Sequence, residues 1–134
     1  MNPTPPSSTA VIATYAAVLF AIDMLWIKGF STLHRKVIQD VSKEPPQFRY
    51  GAGALFYIVA ATCWYHFVYL KSTPSDDNWK DGGLLGLAMY STYDLTMVAA
   101  YKQYPVWYAM TDIAWGTGAM ALATHLTMKV FQKK

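Results

Sequence analysis

Four long apolar stretches, separated by short polar segments, dominate the pattern along the chain. They cover residues 10–28, 50–70, 82–101 and 105–130. A helix needs about 20 mainly apolar residues to cross the hydrocarbon core of a bilayer, and each stretch comes close to or exceeds that length. The pattern therefore predicts an all-α integral membrane protein, with four transmembrane helices bundled in a single domain over residues 10–134. The preceding residues 1–9, polar and rich in proline, are predicted to form a disordered tail.

The segment between the first two stretches has a different pattern. Within residues 29–47, apolar side chains recur at positions 30, 33, 37, 38 and 41, with charged residues between them. This spacing is typical of one face of a helix and predicts a short amphipathic helix in the membrane interface. Pro45 and Pro46 are predicted to end it, because the residue before a proline disfavours the helical conformation. The alternative is a solvated extension of the first span.

Composition agrees with a membrane protein and excludes several other classes. Of the 134 residues, 54% are hydrophobic and only 14% are charged, whereas a soluble domain is about 45–50% apolar and about 25% charged. A net charge of +3 gives no reason to expect a nucleic-acid partner. The single cysteine, Cys63, excludes an intrachain disulfide and a multi-cysteine metal site. No motif indicates a cofactor, and the histidines lack metal-binding spacing.

Three carboxylic acids, Asp23, Asp94 and Asp112, interrupt the predicted spans. Each costs about 2.5–3.5 kcal/mol at the centre of a membrane helix, so such acids usually face the bundle interior and find partners there. No lysine or arginine lies deep in a span to pair with them. Hydroxyl groups are therefore the expected partners: Tyr90, Thr92, Tyr93 and Thr96 for Asp94, Thr111 for Asp112, and tyrosines or threonines of neighbouring helices.

Two of the acids occur in the same short pattern, Asp-x-x-Trp. Asp23 precedes Trp26, and Asp112 precedes Trp115, by three residues, which places each acid and its tryptophan on one helix face. An indole N–H can donate to a carboxylate. The pairs could hold helices together, or they could line a polar pocket for a headgroup, a proton or a small ligand. The candidate polar cluster comprises Asp23, Trp26, Tyr93, Asp94, Thr96, Asp112 and Trp115.

Three motifs in this order resemble a known family. They are the run from Asp23 to Trp26, the run Tyr-Asp-Leu-Thr at residues 93–96 and the run Asp-Ile-Ala-Trp-Gly at residues 112–116. Together they resemble the membrane proteins grouped as domain of unknown function 2177, over about residues 14–130. The resemblance implies a four-span architecture and brings no activity with it. The chain departs from the family pattern at Met97, where an asparagine is typical, as expected if a family member had become a structural part of a larger assembly.

These observations favour a non-catalytic accessory subunit of a larger membrane complex, such as a respiratory or other energy-converting complex. Its expected partners are membrane lipids and other membrane subunits. The expected location is an organellar inner membrane, with the mitochondrial one favoured, or a bacterial plasma membrane. The alternative is a small membrane enzyme or transporter that uses the aspartates to handle protons or lipid headgroups. A third hypothesis is a pigment- or haem-binding module with His66 or His125 as axial ligand.

Overall fold

The computed structural model describes residues 4–75 and 77–131, and all regular secondary structure in this part of the chain is helical. Five α-helices follow one another: α1 Ser8–Gly29, α2 Ser31–Ser42, α3 Tyr50–Phe67, α4 Asn78–Ala100 and α5 Val106–Phe131. A short 3₁₀ turn, Tyr69–Lys71, extends α3. The all-α class predicted from the sequence is confirmed.

Two of the helices have the length and apolarity needed to cross a membrane. They are α1 and the continuous segment Tyr50–Lys71, with mean hydropathies of 2.0 and 1.4. At 23 and 26 residues, α4 and α5 are also long enough, but they contain more glycine, threonine and serine and do not reach the same apolarity. Composition therefore supports two of the four predicted spans.

The start of α1 corrects the predicted boundary of the N-terminal tail. The helix begins at Ser8 rather than after residue 9, because the Ser7 hydroxyl accepts a hydrogen bond from the Ala10 N–H at 3.2 Å. A serine at this position satisfies one of the unpaired N–H groups of the first helical turn. Residues 1–3 of the predicted tail lie outside the described residues.

The second helix is shorter than predicted and ends for a different reason. It ends at Ser42, before the two prolines, where Lys43 adopts a left-handed conformation with φ of 63°. A left-handed residue is a common way to end a helix. α2 is not an extension of α1, since Phe30 separates the two with a non-helical φ of −121°. Its buried Val37 packs against Tyr104, Tyr108 and Ala109, so the apolar face of α2 covers one end of the bundle.

The first helix holds the bundle together. It packs against α3 on one side and α5 on the other, and α5 in turn packs against α4, whereas α3 and α4 scarcely touch in the described part of the chain. The buried positions of α1 are Val11, Tyr15, Leu19 and Asp23, four residues apart. This spacing forms one continuous stripe along a helix. Asp23 therefore continues an otherwise apolar contact surface.

The tightest helix pair is α4 with α5, and glycines permit its close approach. A Cβ atom at Gly86 would lie 2.6 Å from the carbonyl oxygen of Gly116, and one at Gly82 would lie 1.9 Å from the Thr124 hydroxyl. Small residues allow helix backbones to approach closely within membranes. By contrast, a Cβ atom at Gly118 would meet nothing within 4 Å.

We expect the substitution Gly86→Ala to lower the free energy of unfolding by about 1–3 kcal/mol, the usual cost of overpacking. The new methyl group would collide with backbone, which cannot rotate away as a side chain can. Gly118→Ala on the facing helix is the matched control and should be neutral or slightly stabilising, since alanine favours helix over glycine. Thermal unfolding in detergent checks both variants. Equal midpoints for the two would contradict the close contact between α4 and α5.

Candidate functional site

The carboxyl group of Asp23 connects all four long helices through hydrogen bonds. It lies on α1 and is 5% exposed. Its Oδ1 atom accepts a hydrogen bond from the Trp115 indole of α5, and its Oδ2 atom accepts from the Tyr57 hydroxyl of α3 and the Tyr90 hydroxyl of α4, each at 3.1 Å. A buried acid without a cation is tolerated when donors of this kind satisfy it.

The two Asp-x-x-Trp patterns pair crosswise between α1 and α5. The Trp115 indole of α5 donates to Asp23 of α1, and the Trp26 indole of α1 donates to Asp112 of α5 at 2.9 Å. The two indole rings stack, with centroids 5.2 Å apart and planes inclined by 13°. Each acid therefore accepts a hydrogen bond from the tryptophan of the facing helix. The repeated pattern joins α1 and α5 at this level of the bundle.

The third acid, Asp94, is enclosed at the end of α4. It is fully buried, and its Oδ1 atom accepts a hydrogen bond of 2.6 Å from the hydroxyl of Tyr104, which lies in the connection to α5. Its Oδ2 atom has no N–H or hydroxyl donor among the described residues, but the Asp94 side chain is in hydrogen-bonding contact with that of Asp112. Burial raises the pKa of the Tyr104 hydroxyl, so that group stays protonated and remains a donor. Asp112 interacts electrostatically with both Asp94 and Asp23. The structure thus brings the three acids into one carboxylate cluster.

Tyrosines from other parts of the chain serve as the expected hydroxyl partners of Asp23 and Asp94, whereas the hydroxyls expected from the same helix do not. Tyr90 donates to Asp23 rather than to Asp94. The threonines expected beside the acids turn back to carbonyl groups of their own helices: Thr92 to Ala88, Thr96 to Thr92 and Thr111 to Trp107. Thr96 is exposed and lies outside the cluster. Tyr93 is 57% exposed and borders the cavity described next.

A cavity of about 980 Å³ lies next to Asp23, which forms part of its lining. It occupies the space that α1, α3 and α4 leave between them, and α2 and the start of α5 close one end. The inner end carries Asp23, Tyr57, Tyr90 and Asp112, and the outer end carries Lys28, Arg49 and Tyr50, at the ends of α1 and α3. The walls between them are mainly apolar: Phe20, Met24, Ile27, Ala54, Phe56, Ile58 and Met89.

The sequence did not predict one set of hydrogen bonds at the outer end of the cavity. His34 of α2 lies with its Nδ1 atom 2.5 Å from the Tyr108 hydroxyl and its Nε2 atom 3.2 Å from the Trp26 carbonyl oxygen. A carbonyl can only accept, so Nε2 carries the hydrogen and Nδ1 accepts from Tyr108. The imidazole thereby fixes α2 against α1 and α5. No spacing in the sequence relates these residues, which are far apart along the chain.

The described residues include no group of three or more His, Cys, Asp or Glu side chains arranged to hold a metal ion. The arrangement itself offers buried carboxyl groups with hydrogen-bond donors, next to apolar side chains. The indole and hydroxyl donors at the inner end of the cavity already donate hydrogen bonds to the carboxyl groups of Asp23 and Asp112. What remains accessible is an apolar volume with cationic groups at its outer end.

We expect Tyr104→Phe to lower the free energy of unfolding by about 1–3 kcal/mol, because it leaves the buried Asp94 carboxyl without its donor. Tyr101→Phe is the matched control: Tyr101 lies three residues earlier in the same connection and is 44% exposed, so its hydroxyl should contribute little. Thermal unfolding of the two variants in one detergent makes the comparison. A Tyr104 variant as stable as the Tyr101 variant would contradict this role for the hydroxyl.

Comparison with known proteins agrees with the motifs noted in the sequence. A family model described as a predicted membrane protein, domain of unknown function 2177, matches residues 8–129. The match includes all five helices almost to the end of α5, and with them every residue of the carboxylate cluster. Comparison with curated proteins and with solved structures gives no match. The chain therefore belongs to the family of predicted membrane proteins grouped as domain of unknown function 2177.

Proposed function

We propose that this chain is a four-span membrane protein that binds an amphiphilic molecule, with the hydrocarbon chain of that molecule in the cavity beside Asp23. The cavity of about 980 Å³ and its apolar walls are the observation that carries the proposal. Binding sites for small molecules are typically clefts of about 300–1,000 Å³ lined by apolar and aromatic side chains with a few polar groups.

Four spans are supported by helix length and by the way α4 and α5 satisfy their polar groups. At 1.5 Å per residue, their 23 and 26 residues exceed the roughly 30 Å thickness of the hydrocarbon core. The exposed hydroxyls of Thr92, Thr96 and Thr111 donate to backbone carbonyls of the preceding turn. Such hydroxyls present no unpaired donor to lipid. α4 and α5 can therefore cross a membrane despite their lower apolarity.

An amphiphile suits the cavity better than a fully polar ligand. The two carboxylates at the inner end already accept hydrogen bonds from indoles and tyrosines, so a polar ligand would have to displace these bonds. A hydrocarbon chain can fill the apolar walls and leave them intact. Binding of a chain also buries apolar surface, which contributes about 25 cal/mol per Å².

Filling the cavity tests this proposal. Gly53 lines the cavity and has open space around its Cβ position, so Gly53→Trp should occupy the ligand volume without disturbing the fold. Gly51→Trp is the matched control, since Gly51 also has open space but does not line the cavity. In native mass spectrometry of protein purified in mild detergent, we expect wild type and Gly51→Trp to retain a lipid. Gly53→Trp should lose it, and equal retention in all three would contradict the proposal.

A role as accessory subunit is a second candidate, and the outer surface favours it. Large apolar side chains outside the cavity are exposed on α3 and α5: Leu55, Val59, Trp107, Met110, Leu122, Leu126 and Val130. Lipids or partner helices can cover such a surface, and a partner helix would gain van der Waals contacts with its aromatic and aliphatic groups. A respiratory or other energy-converting complex in a mitochondrial or bacterial membrane is the proposed setting.

Purification from the native membrane tests the subunit role. We expect the protein to migrate with other membrane proteins in fixed proportion, through size-exclusion chromatography in mild detergent. Quantitative mass spectrometry of the fractions gives those proportions. A stable monomer that retains lipid would contradict the subunit role and leave the binding proposal in place.

A further inference from the structure

We infer that the amphiphile is a lipid with a net negative headgroup, held at the outer end of the cavity by Lys28, Arg35 and Arg49. The inference rests on the proposed function and adds the class of ligand and its orientation. The three cations come from three successive parts of the chain: the end of α1, the middle of α2 and the residue before α3.

A second, smaller cavity shows where the headgroup would lie. It has a volume of about 250 Å³ and adjoins the large cavity, with which it shares Ile27, Lys28, His34, Ile38 and Phe48 in its lining. Arg35 lines only the small cavity, and Arg49 lines only the large one. The two cavities therefore adjoin each other, and the basic residues of both linings lie at or near the ends of α1 and α3 and on α2.

The cations at this end are not neutralised by an ion pair in the part of the chain that the structure describes. Among the described residues, Lys28, Arg35 and Arg49 form no ion pair, and the nearby acids Asp40 and Glu44 line neither cavity. Basic groups next to the ends of membrane helices attract anionic headgroups, each contributing about 1 kcal/mol. Lysine and arginine also lay their aliphatic stems on apolar surface while the charged group reaches the interface. The geometry therefore favours an anionic group at this position.

The charges at the two ends of the cavity fix the orientation of the ligand. Asp23 and Asp112 lie at the inner end, where an anionic headgroup would meet carboxylates whose donors are already engaged. At the outer end the headgroup would meet three cations and water. Its chain would then point toward Asp23, the direction in which lipids of the surrounding leaflet also point.

The test uses lipid competition on the full-length protein. Wild type in mild detergent is given equal amounts of phosphatidylglycerol and phosphatidylcholine with identical acyl chains, and native mass spectrometry measures the retained ratio. We expect a preference for phosphatidylglycerol that falls about fivefold for each cation removed, and on the order of 100-fold in the triple variant Lys28→Gln, Arg35→Gln, Arg49→Gln. All three residues are exposed, so the variant should keep the helix content of wild type.

A charge-matched control separates a built site from general attraction to anionic lipid. The variant Lys36→Gln, Lys71→Gln, Lys102→Gln removes three cations that line neither cavity, and it should keep the wild-type preference. Equal retention of both lipids by wild type would overturn the anionic assignment and leave the proposed function standing. Equal loss of preference in the two triple variants would overturn the site. Failure of wild type to retain any lipid would overturn both proposals.

Discussion

One buried carboxyl group, that of Asp23, organises the bundle. It lies on α1 and accepts hydrogen bonds from α3, α4 and α5. Because an acid at this depth is costly without partners, the helices that supply the donors are held to fixed positions around it. The hydrogen bonds from Tyr57 and Tyr90 also join α3 and α4 to a common atom, although those two helices scarcely touch each other. The separation of α3 from α4 is what leaves room for the cavity.

The rest of the structure fits around this arrangement. Glycines bring α4 against α5, and α5 in turn packs on α1 with Trp115 beside Asp23 and Asp112 beside Trp26. On the other side of α1, Tyr15 stacks on Trp64 of α3, with ring centroids 4.0 Å apart. The cavity occupies the space that remains between α3 and α4, next to the hydrogen bonds that Tyr57 and Tyr90 donate to Asp23.

The sequence located the cluster but could not specify its contacts. An acid within an apolar stretch is conspicuous. The free-energy cost of placing an acid inside a membrane helix is therefore enough to identify Asp23, Asp94 and Asp112 as candidates. Spacing of three residues places Trp26 on the face of Asp23, but it does not say which neighbouring helix that face meets, so the crosswise pairing was not foreseen. Tyr57 could not be distinguished among the ten tyrosines of the chain, and the position of Tyr90 near Asp94 in sequence did not reveal that it donates to Asp23. The Thr96 hydroxyl donates to the carbonyl oxygen of Thr92, one turn earlier, a contact that spacing alone cannot distinguish from a bond to an acid.

The crosswise pairing of acids and tryptophans is the central claim, and the indole N–H groups report on it directly. In protein labelled with ¹⁵N at tryptophan, each indole gives one resonance whose position depends on its hydrogen-bond acceptor. Asp23→Ala should shift the resonance of Trp115 most strongly, and Asp112→Ala should shift that of Trp26. If instead each tryptophan responded mainly to the aspartate of its own helix, the account of how α1 and α5 are joined would be contradicted.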